Sequence, residues 1–130
     1  MSSMFRDCSE LASMDMSGWD VTSLSNANYL FYGCSSLQSI DLTGWSTACV
    51  MNNNTFHLCG NLTSLKWGPN WKSPTRLDAC NNLTSECLKD LLINLAVVTN
   101  NETLQLGATN LAKITDSEKA VATNKGWTLS

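Results

Sequence analysis

An aromatic residue, a cysteine and a leucine recur at intervals of three residues in the first half of the chain. The three clear copies are Phe5, Cys8 and Leu11; Phe31, Cys34 and Leu37; and Phe56, Cys59 and Leu62. The copies are 26 and 25 residues apart, and a degenerate fourth copy follows after 21 residues as Leu77, Cys80 and Leu83. Periods of this length are typical of leucine-rich repeats, in which each repeat contributes one strand and one loose segment.

Two more apolar positions follow each leucine and alternate with polar ones. The pairs are Met14 and Met16, Ile40 and Leu42, and Leu65 and Trp67. A period of two predicts a strand with one buried and one solvent-facing side. Each repeat leaves an open apolar edge, so burial is complete only when a neighbouring repeat stacks on it. We therefore predict an α/β fold: a short leucine-rich-repeat solenoid with parallel strands, one per coil, and with the repeat cysteines above one another.

The last third of the chain has a helical pattern instead. A stripe with helical spacing follows Thr84, and its members are Leu88, Leu91, Leu92 and Leu95. Thr115 and Glu118 form a capping box that opens a second helix. Short strands are expected at 103–106 and 127–129.

These patterns predict two regions. Residues 1–83 hold three to four repeats, the first of them incomplete, and residues 84–130 form a C-terminal capping segment in the order helix-strand-helix-strand. A solenoid end requires such a cover with a polar outer face. Residues 1–5 match the tail of a preceding segment, so we expect the sequence to be the C-terminal portion of a longer protein.

The stretches FRDCSELASMDMSGW at 5–19 and FYGCSSLQSIDLTGW at 31–45 carry a specific motif, each followed by a Ser/Thr/Asn-rich segment. This motif resembles the BspA-type leucine-rich repeat surface proteins, over roughly residues 4–67. The third copy departs from it, because Lys66 replaces the aspartate and 67–71 disrupts the Gly-Trp step. The resemblance implies adhesion or recognition at a cell surface. It also allows a place on a phage tail or fibre that contacts a bacterial host.

Composition narrows the classes of partner. Of the 130 residues, 43% are hydrophobic and 15% charged, the net charge is −3, and the pI is near 4.9. A protein that binds nucleic acid would carry clustered Lys and Arg to neutralise the phosphates. This chain has no such run, so nucleic acid is not an expected partner. No apolar run approaches the roughly 18 residues of a spanning helix, and we expect no membrane insertion of this fragment.

The residues suited to catalysis or metal binding are few. The six cysteines form no C-x-x-C pair, and His57 is the single histidine. No hydrolase, metalloprotease or phosphate-loop motif occurs. We predict no enzyme, no metal and no cofactor. The repeat cysteines are expected to be core residues, whereas Cys49, Cys80 and Cys87 are the candidates for a disulfide of undetermined pairing.

The solvent-facing strand positions are the candidate binding surface. Asp15 and Asp41 should stand side by side with Lys66 next in the row, and two like charges in that arrangement cost stability. The row is therefore compatible with a compensating cation, a partner or Lys66 itself, but solvated surface carboxylates are the favoured interpretation. The ligand-contact candidates on the strands and adjacent turn are Ser13, Asp15, Ser39, Asp41, Thr43, Ser64 and Lys66. Trp67 and Trp71 break the repeat pattern and complete the set as aromatic residues expected to be exposed.

The sequence predicts a non-catalytic binding module for a protein or glycan ligand on a cell surface. It would be located at the cell surface or outside the cell, or alternatively in a phage virion. The alternative function is a structural or assembly module of a larger particle. Self-association through the open edge of the N-terminal coil would then be expected, because an unpaired strand edge recruits another chain.

Overall fold

The computed structural model describes residues 2–45, 51 and 54–130. Within them the fold is mixed α/β, with parallel strands in two small sheets and three helices. The strands are β1 (Ser13–Asp15), β2 (Ser39–Leu42), β3 (Ser64–Trp67), β4 (Thr75–Arg76), β5 (Thr103–Gln105) and β6 (Thr128–Leu129). The helices are α1 (Ser85–Ile93), α2 (Gly107–Leu111) and α3 (Asp116–Thr123).

The first sheet pairs the three repeat strands in the order β1-β2-β3. Equivalent repeat positions lie opposite each other, so that Met14 pairs with Ile40, and Ile40 with Leu65. Ile40 and Leu65 are buried, whereas Met14 is only partly buried because β1 is the edge strand. The predicted parallel strands with one buried side are confirmed here.

The aromatic residues of the repeats stack on one another behind this sheet. The Phe5 and Phe31 ring centroids are 5.5 Å apart and the rings are 8° from parallel. Phe56 continues the row, 5.9 Å from Phe31 at 4°. Such ring pairs stabilise beyond the area they bury.

The repeat cysteines form a second row, and each thiol donates to the carbonyl oxygen of the aromatic residue in the preceding repeat. Cys34 Sγ donates to Phe5 O at 3.0 Å, Cys59 Sγ to Phe31 O at 3.1 Å, and Cys80 Sγ to Phe56 O at 3.3 Å. Burial raises the pKa of Cys34 to about 11 and of Cys59 to about 12. The prediction of superposed core cysteines is confirmed for Cys34 and Cys59, whereas Cys8 is only partly buried and Cys80 joins the row without having been predicted to.

The expectation of a disulfide at Cys80 or Cys87 is wrong, whereas the preferred interpretation of Cys87 as a buried packing residue in the first turn of a helix is confirmed. Both are free thiols in the core. Cys87 Sγ, in α1, donates to Leu65 O at 3.3 Å, so helix packing and not cross-linking accounts for it. Cys49 lies outside the described residues.

The second sheet has the parallel order β4-β5-β6. It therefore joins a strand at 75–76 to strands from residues 84–130. Thr84 caps α1 by accepting from Cys87 N at 3.1 Å, and the predicted capping box of Thr115 and Glu118 opens α3. The short helix α2, which begins at Gly107 with φ +77°, was not predicted.

Helix α2 supplies the residue that continues the cysteine row. Asn110 is fully buried, and its Nδ2 donates to Leu77 O at 3.1 Å. Leu77 holds the repeat position of the three phenylalanines. The Asn110 amide therefore makes the bond that a cysteine thiol makes in the earlier repeats. The same Nδ2 donates to Cys80 O and Leu106 O, at 3.2 and 2.9 Å. Asn110 thus joins the last degenerate repeat to the C-terminal segment.

Candidate functional site

The solvent-facing side of the first sheet carries two polar rows at right angles to the strands. One row consists of Ser13, Ser39 and Ser64, and the other of Asp15, Asp41 and Lys66, in direct register. Neighbouring members are separated by the strand spacing of about 4.8 Å. The structure therefore brings together six of the predicted candidates. Thr43 lies in the turn that directly follows β2.

Asp15 and Asp41 also shape the turn that ends their strands. Asp15 Oδ1 accepts from Ser17 N at 2.9 Å and from Ser17 Oγ at 2.6 Å. Asp41 Oδ1 makes the same pair of bonds with Thr43, at 2.9 Å from the backbone N–H. These Ser17 bonds stabilise the charged carboxylate and lower the pKa of Asp15.

This turn role was missed at the level of sequence, although the signal was present. An aspartate two residues before a serine or threonine is the usual composition of an Asx turn. The same arrangement occurs off the sheet, where Asp20 Oδ1 accepts from Thr22 N at 3.0 Å and Thr22 Oγ1 at 2.6 Å. Only the position in the row, and not the turn itself, distinguishes Asp15 and Asp41 from Asp20.

A shallow trough of about 280 Å³ runs between the two rows. Its walls are the serines on one side and the Asp15, Asp41 and Lys66 side chains on the other, with Met14 and Ile40 between them. The trough crosses all three strands, so it can hold an extended ligand lying across them.

A second concavity of about 210 Å³ begins where the trough ends. Lys66 lines both. The other lining residues come from the β2 turn, from β3 and the loop after it, and from α1, and they are Thr43, Leu65, Trp67, Gly68, Pro69, Asp90, Leu91 and Asn94. Sequence reasoning did not include the α1 residues, because no local pattern places that helix beside β3.

The expectation that Trp67 and Trp71 are exposed is wrong. They are 2% and 1% exposed, and their rings stack at 4.8 Å and 6°. The Trp67 indole N–H donates to Leu91 O at 3.0 Å, and that of Trp71 to Thr75 Oγ1 at 3.2 Å. Helix α1 packs over this pair, so both residues belong to the core rather than to an aromatic contact patch.

The edge of the first repeat is the other unusual surface. Trp19 is 40% exposed, whereas Trp45, at the same repeat position, is 1% exposed. Phe5, Cys8 and Leu11 are only partly buried, unlike their counterparts in the second repeat. The difference arises because the face of the first repeat that would receive a neighbour is open to solvent.

Comparison with known proteins bears on the same region. Residues 1–68 match the model of a family described as a Mycoplasma protein of unknown function, DUF285. This chain belongs to the DUF285 family. The DUF285 match includes both polar rows and the stretch at 4–67 that resembles BspA-type proteins, but not α1. No curated protein and no solved structure matches the chain significantly.

Two further properties of the described residues complete this account. They include no helix long and apolar enough to cross a membrane. Nor do they bring together three or more His, Cys, Asp or Glu side chains in a position to hold a metal ion.

Proposed function

We propose that this DUF285 chain is a non-catalytic recognition module. It would be a short leucine-rich solenoid that presents the face of its first sheet to a protein or glycan on a cell surface. The observation that carries the proposal is the register of Asp15, Asp41 and Lys66, which aligns three charged side chains across three adjacent strands.

The rigidity of this row supports a binding role. The Ser17 and Thr43 bonds fix one oxygen of each aspartate carboxylate. A ligand that contacts the second oxygen, Oδ2, would lose less side-chain entropy on binding than it would with a freely rotating carboxylate. The backbone beneath is held by the parallel ladder, so the row is prepared before a ligand arrives.

The proposed location at the cell surface rests on the BspA-type motif and on membership of the DUF285 family. The motif FYGCSSLQSIDLTGW resembles a motif of BspA-type proteins, which are surface proteins. It therefore supports a surface location as well as the repeat fold. The alternative location is the virion of a bacterial phage, because the same resemblance allows a place on a phage tail or fibre.

Binding to arrays of bacterial surface glycans and of host matrix proteins tests the proposal. The test variant combines Asp15→Asn, Asp41→Asn and Lys66→Gln, which keep the turns but remove the charges. The matched control is Asp20→Asn, which alters an identical turn outside the row. We expect the triple variant to lose a ligand that wild type and control both bind. A ligand retained by the triple variant, or no ligand on either array, contradicts the proposal.

A structural or assembly role is the second candidate, and the exposure of Trp19 favours it. In the second repeat the equivalent tryptophan is covered by the first, so the same surface on the first repeat is suited to receive another chain. Light scattering coupled to size exclusion should then show oligomers that Trp19→Ser dissociates, while the strand-face triple variant leaves them intact. A monomer at all concentrations contradicts self-association.

A further inference from the structure

We infer that the ligand of the strand face is a neutral, linear glycan that lies across the strands and continues past Lys66 into the concavity beside α1. This inference rests on the proposed function and specifies its ligand. It combines the trough and the second concavity into one site, because Lys66 lines both.

The dimensions of the trough suit a single polymer chain. Its two walls are residues two positions apart on each strand, a separation of about 6.6 Å. Along its length the polar groups repeat at the strand spacing of about 4.8 Å, which is close to the length of one sugar ring in a β-linked chain. Successive sugars can therefore meet a serine and an aspartate on β1 and on β2, and Ser64 with Lys66 on β3.

The chemistry of the walls favours hydroxyl-bearing ligands. The second carboxylate oxygens of Asp15 and Asp41 accept hydrogen bonds, and hydrogen bonds to charged acceptors are stronger than neutral ones. The hydroxyls of Ser13, Ser39 and Ser64 both donate and accept. Sugar hydroxyls do the same, so each ring can be bound from both walls.

The same groups disfavour the other ligand classes. Asp15 and Asp41 repel an acidic glycan at their end of the trough, and Lys66 provides a single opposing charge. Protein interfaces commonly have an aromatic or arginine anchor near their centre. Such an anchor is not available here, because Trp67 and Trp71 are buried beneath α1.

The second concavity extends the site beyond the repeats. Asp90 lies in the last turn of α1 and Asn94 is the C-cap residue four positions later, so the two lie on the same side of the helix end. Together with Thr43 they line a space next to Lys66 that Gly68 and Pro69 close from the opposite side. Further sugar rings that leave the trough at β3 would enter this space.

Titration calorimetry of the full chain with cellulose and chitin oligosaccharides of two to six sugars tests the inference. The trough should bind the shortest oligomers, and affinity should increase about tenfold once the chain is long enough to reach α1. Asp90→Asn should remove that increase and leave the affinity for the disaccharide unchanged. Asp116→Asn, a fully exposed position at the start of α3, is the control.

Several results would overturn the inference. They are failure of every neutral oligomer to bind, affinity that does not depend on length, and tighter binding of an acidic polymer such as hyaluronan. A protein ligand that is lost in the Asp15, Asp41 and Lys66 triple variant would also overturn it, while leaving the proposed recognition function standing. The two proposals can therefore fail separately.

Discussion

The indole N–H of Trp45 donates a 3.0 Å hydrogen bond to the carbonyl oxygen of Met16, which lies 29 residues earlier at the end of the first repeat strand. This bond joins the second repeat to the first at the point where the chain leaves the sheet. Trp19 occupies the same repeat position, yet it is exposed at the edge. Comparing Trp45 with Trp19 therefore measures how much a neighbouring repeat stabilises a tryptophan at this position.

We expect Trp45→Phe to destabilise the protein by about 1–3 kcal/mol, because the Met16 carbonyl loses its buried donor and a space remains. Trp19→Phe should change stability by no more than about 0.5 kcal/mol, as is usual for exposed positions. Urea denaturation followed by tryptophan fluorescence and circular dichroism measures both. Equal effects would show that the Met16 bond contributes nothing specific.

Gly44 and Gly18 form a second matched pair. A Cβ on Gly44 would overlap the backbone oxygen of Ser17 in the first repeat, whereas a Cβ on Gly18 would meet nothing within 4 Å. Because backbone cannot rotate away like a side chain, Gly44→Ala should cost about 1–3 kcal/mol. Gly18→Ala should be neutral or slightly stabilising, since alanine restricts the unfolded chain. The thermal unfolding midpoints of the two variants check this, and a stable Gly44→Ala would contradict the close approach of the repeats.

The buried thiols should make stability fall in alkaline solution. Burial raises the pKa of Cys34 to about 11 and of Cys59 to about 12, from an ordinary value near 9. The folded state therefore keeps both protons after the unfolded state begins to lose them, so unfolding becomes easier as pH rises above about 9. This loss continues until the folded thiols ionise.

The dependence can be isolated by comparing the free energy of unfolding between pH 8 and 10.5 in wild type and in the variant Cys34→Ala with Cys59→Ala. The variant should be less stable at pH 8 but should lose less stability per pH unit. All other ionisable side chains are common to both proteins, so the difference between the two curves isolates the contribution of Cys34 and Cys59. Parallel curves would mean that these thiols ionise equally in both states.

Asn110 should be the most sensitive polar position of the C-terminal segment. Asn110→Ala removes a buried side chain whose Nδ2 donates to three carbonyl oxygens, two of which, Leu77 O and Cys80 O, keep a backbone donor; we expect a total cost of about 1–3 kcal/mol. Asn82 also donates across repeats, to Gly60 O at 2.9 Å, but it is exposed. Water can replace its bond, so Asn82→Ala should cost less than about 1 kcal/mol. Chemical denaturation of both variants tests this, and similar losses would place the two asparagines in equivalent roles.

The candidate site was predictable to the extent that it follows from the repeat. A register shift of one residue would turn every buried side chain of a strand toward solvent, so the alternation in SMD, SIDL and SLKW fixes the alignment of Asp15, Asp41 and Lys66. The capping box at Thr115 was predictable for a similar reason, since its bonds span only three residues.

The errors arose where the determining contact lies far away in sequence. Trp67 and Trp71 interrupt the repeat motif, and that interruption gave no sign that α1 would cover them. The sequence leaves Cys80 and Cys87 open as disulfide candidates, but in the structure each thiol donates to a carbonyl more than 20 residues earlier. The assembly of β4 with β5 and of β5 with β6 likewise pairs residues that are 29 and 25 positions apart, for which no short pattern exists.

The sequence by itself determined the repeat unit, the strand register and the starts of α1 and α3, because periodicity and capping depend on neighbours within a few residues. The tertiary structure alone decided which of two equivalent tryptophans is buried, which thiol bonds to which carbonyl, and that α1 residues line a concavity beside Lys66. Those outcomes depend on what packs against each repeat. In this chain, Trp19 and Trp45 hold the same repeat position but differ in environment. Trp45 is covered by the first repeat, whereas Trp19 faces solvent.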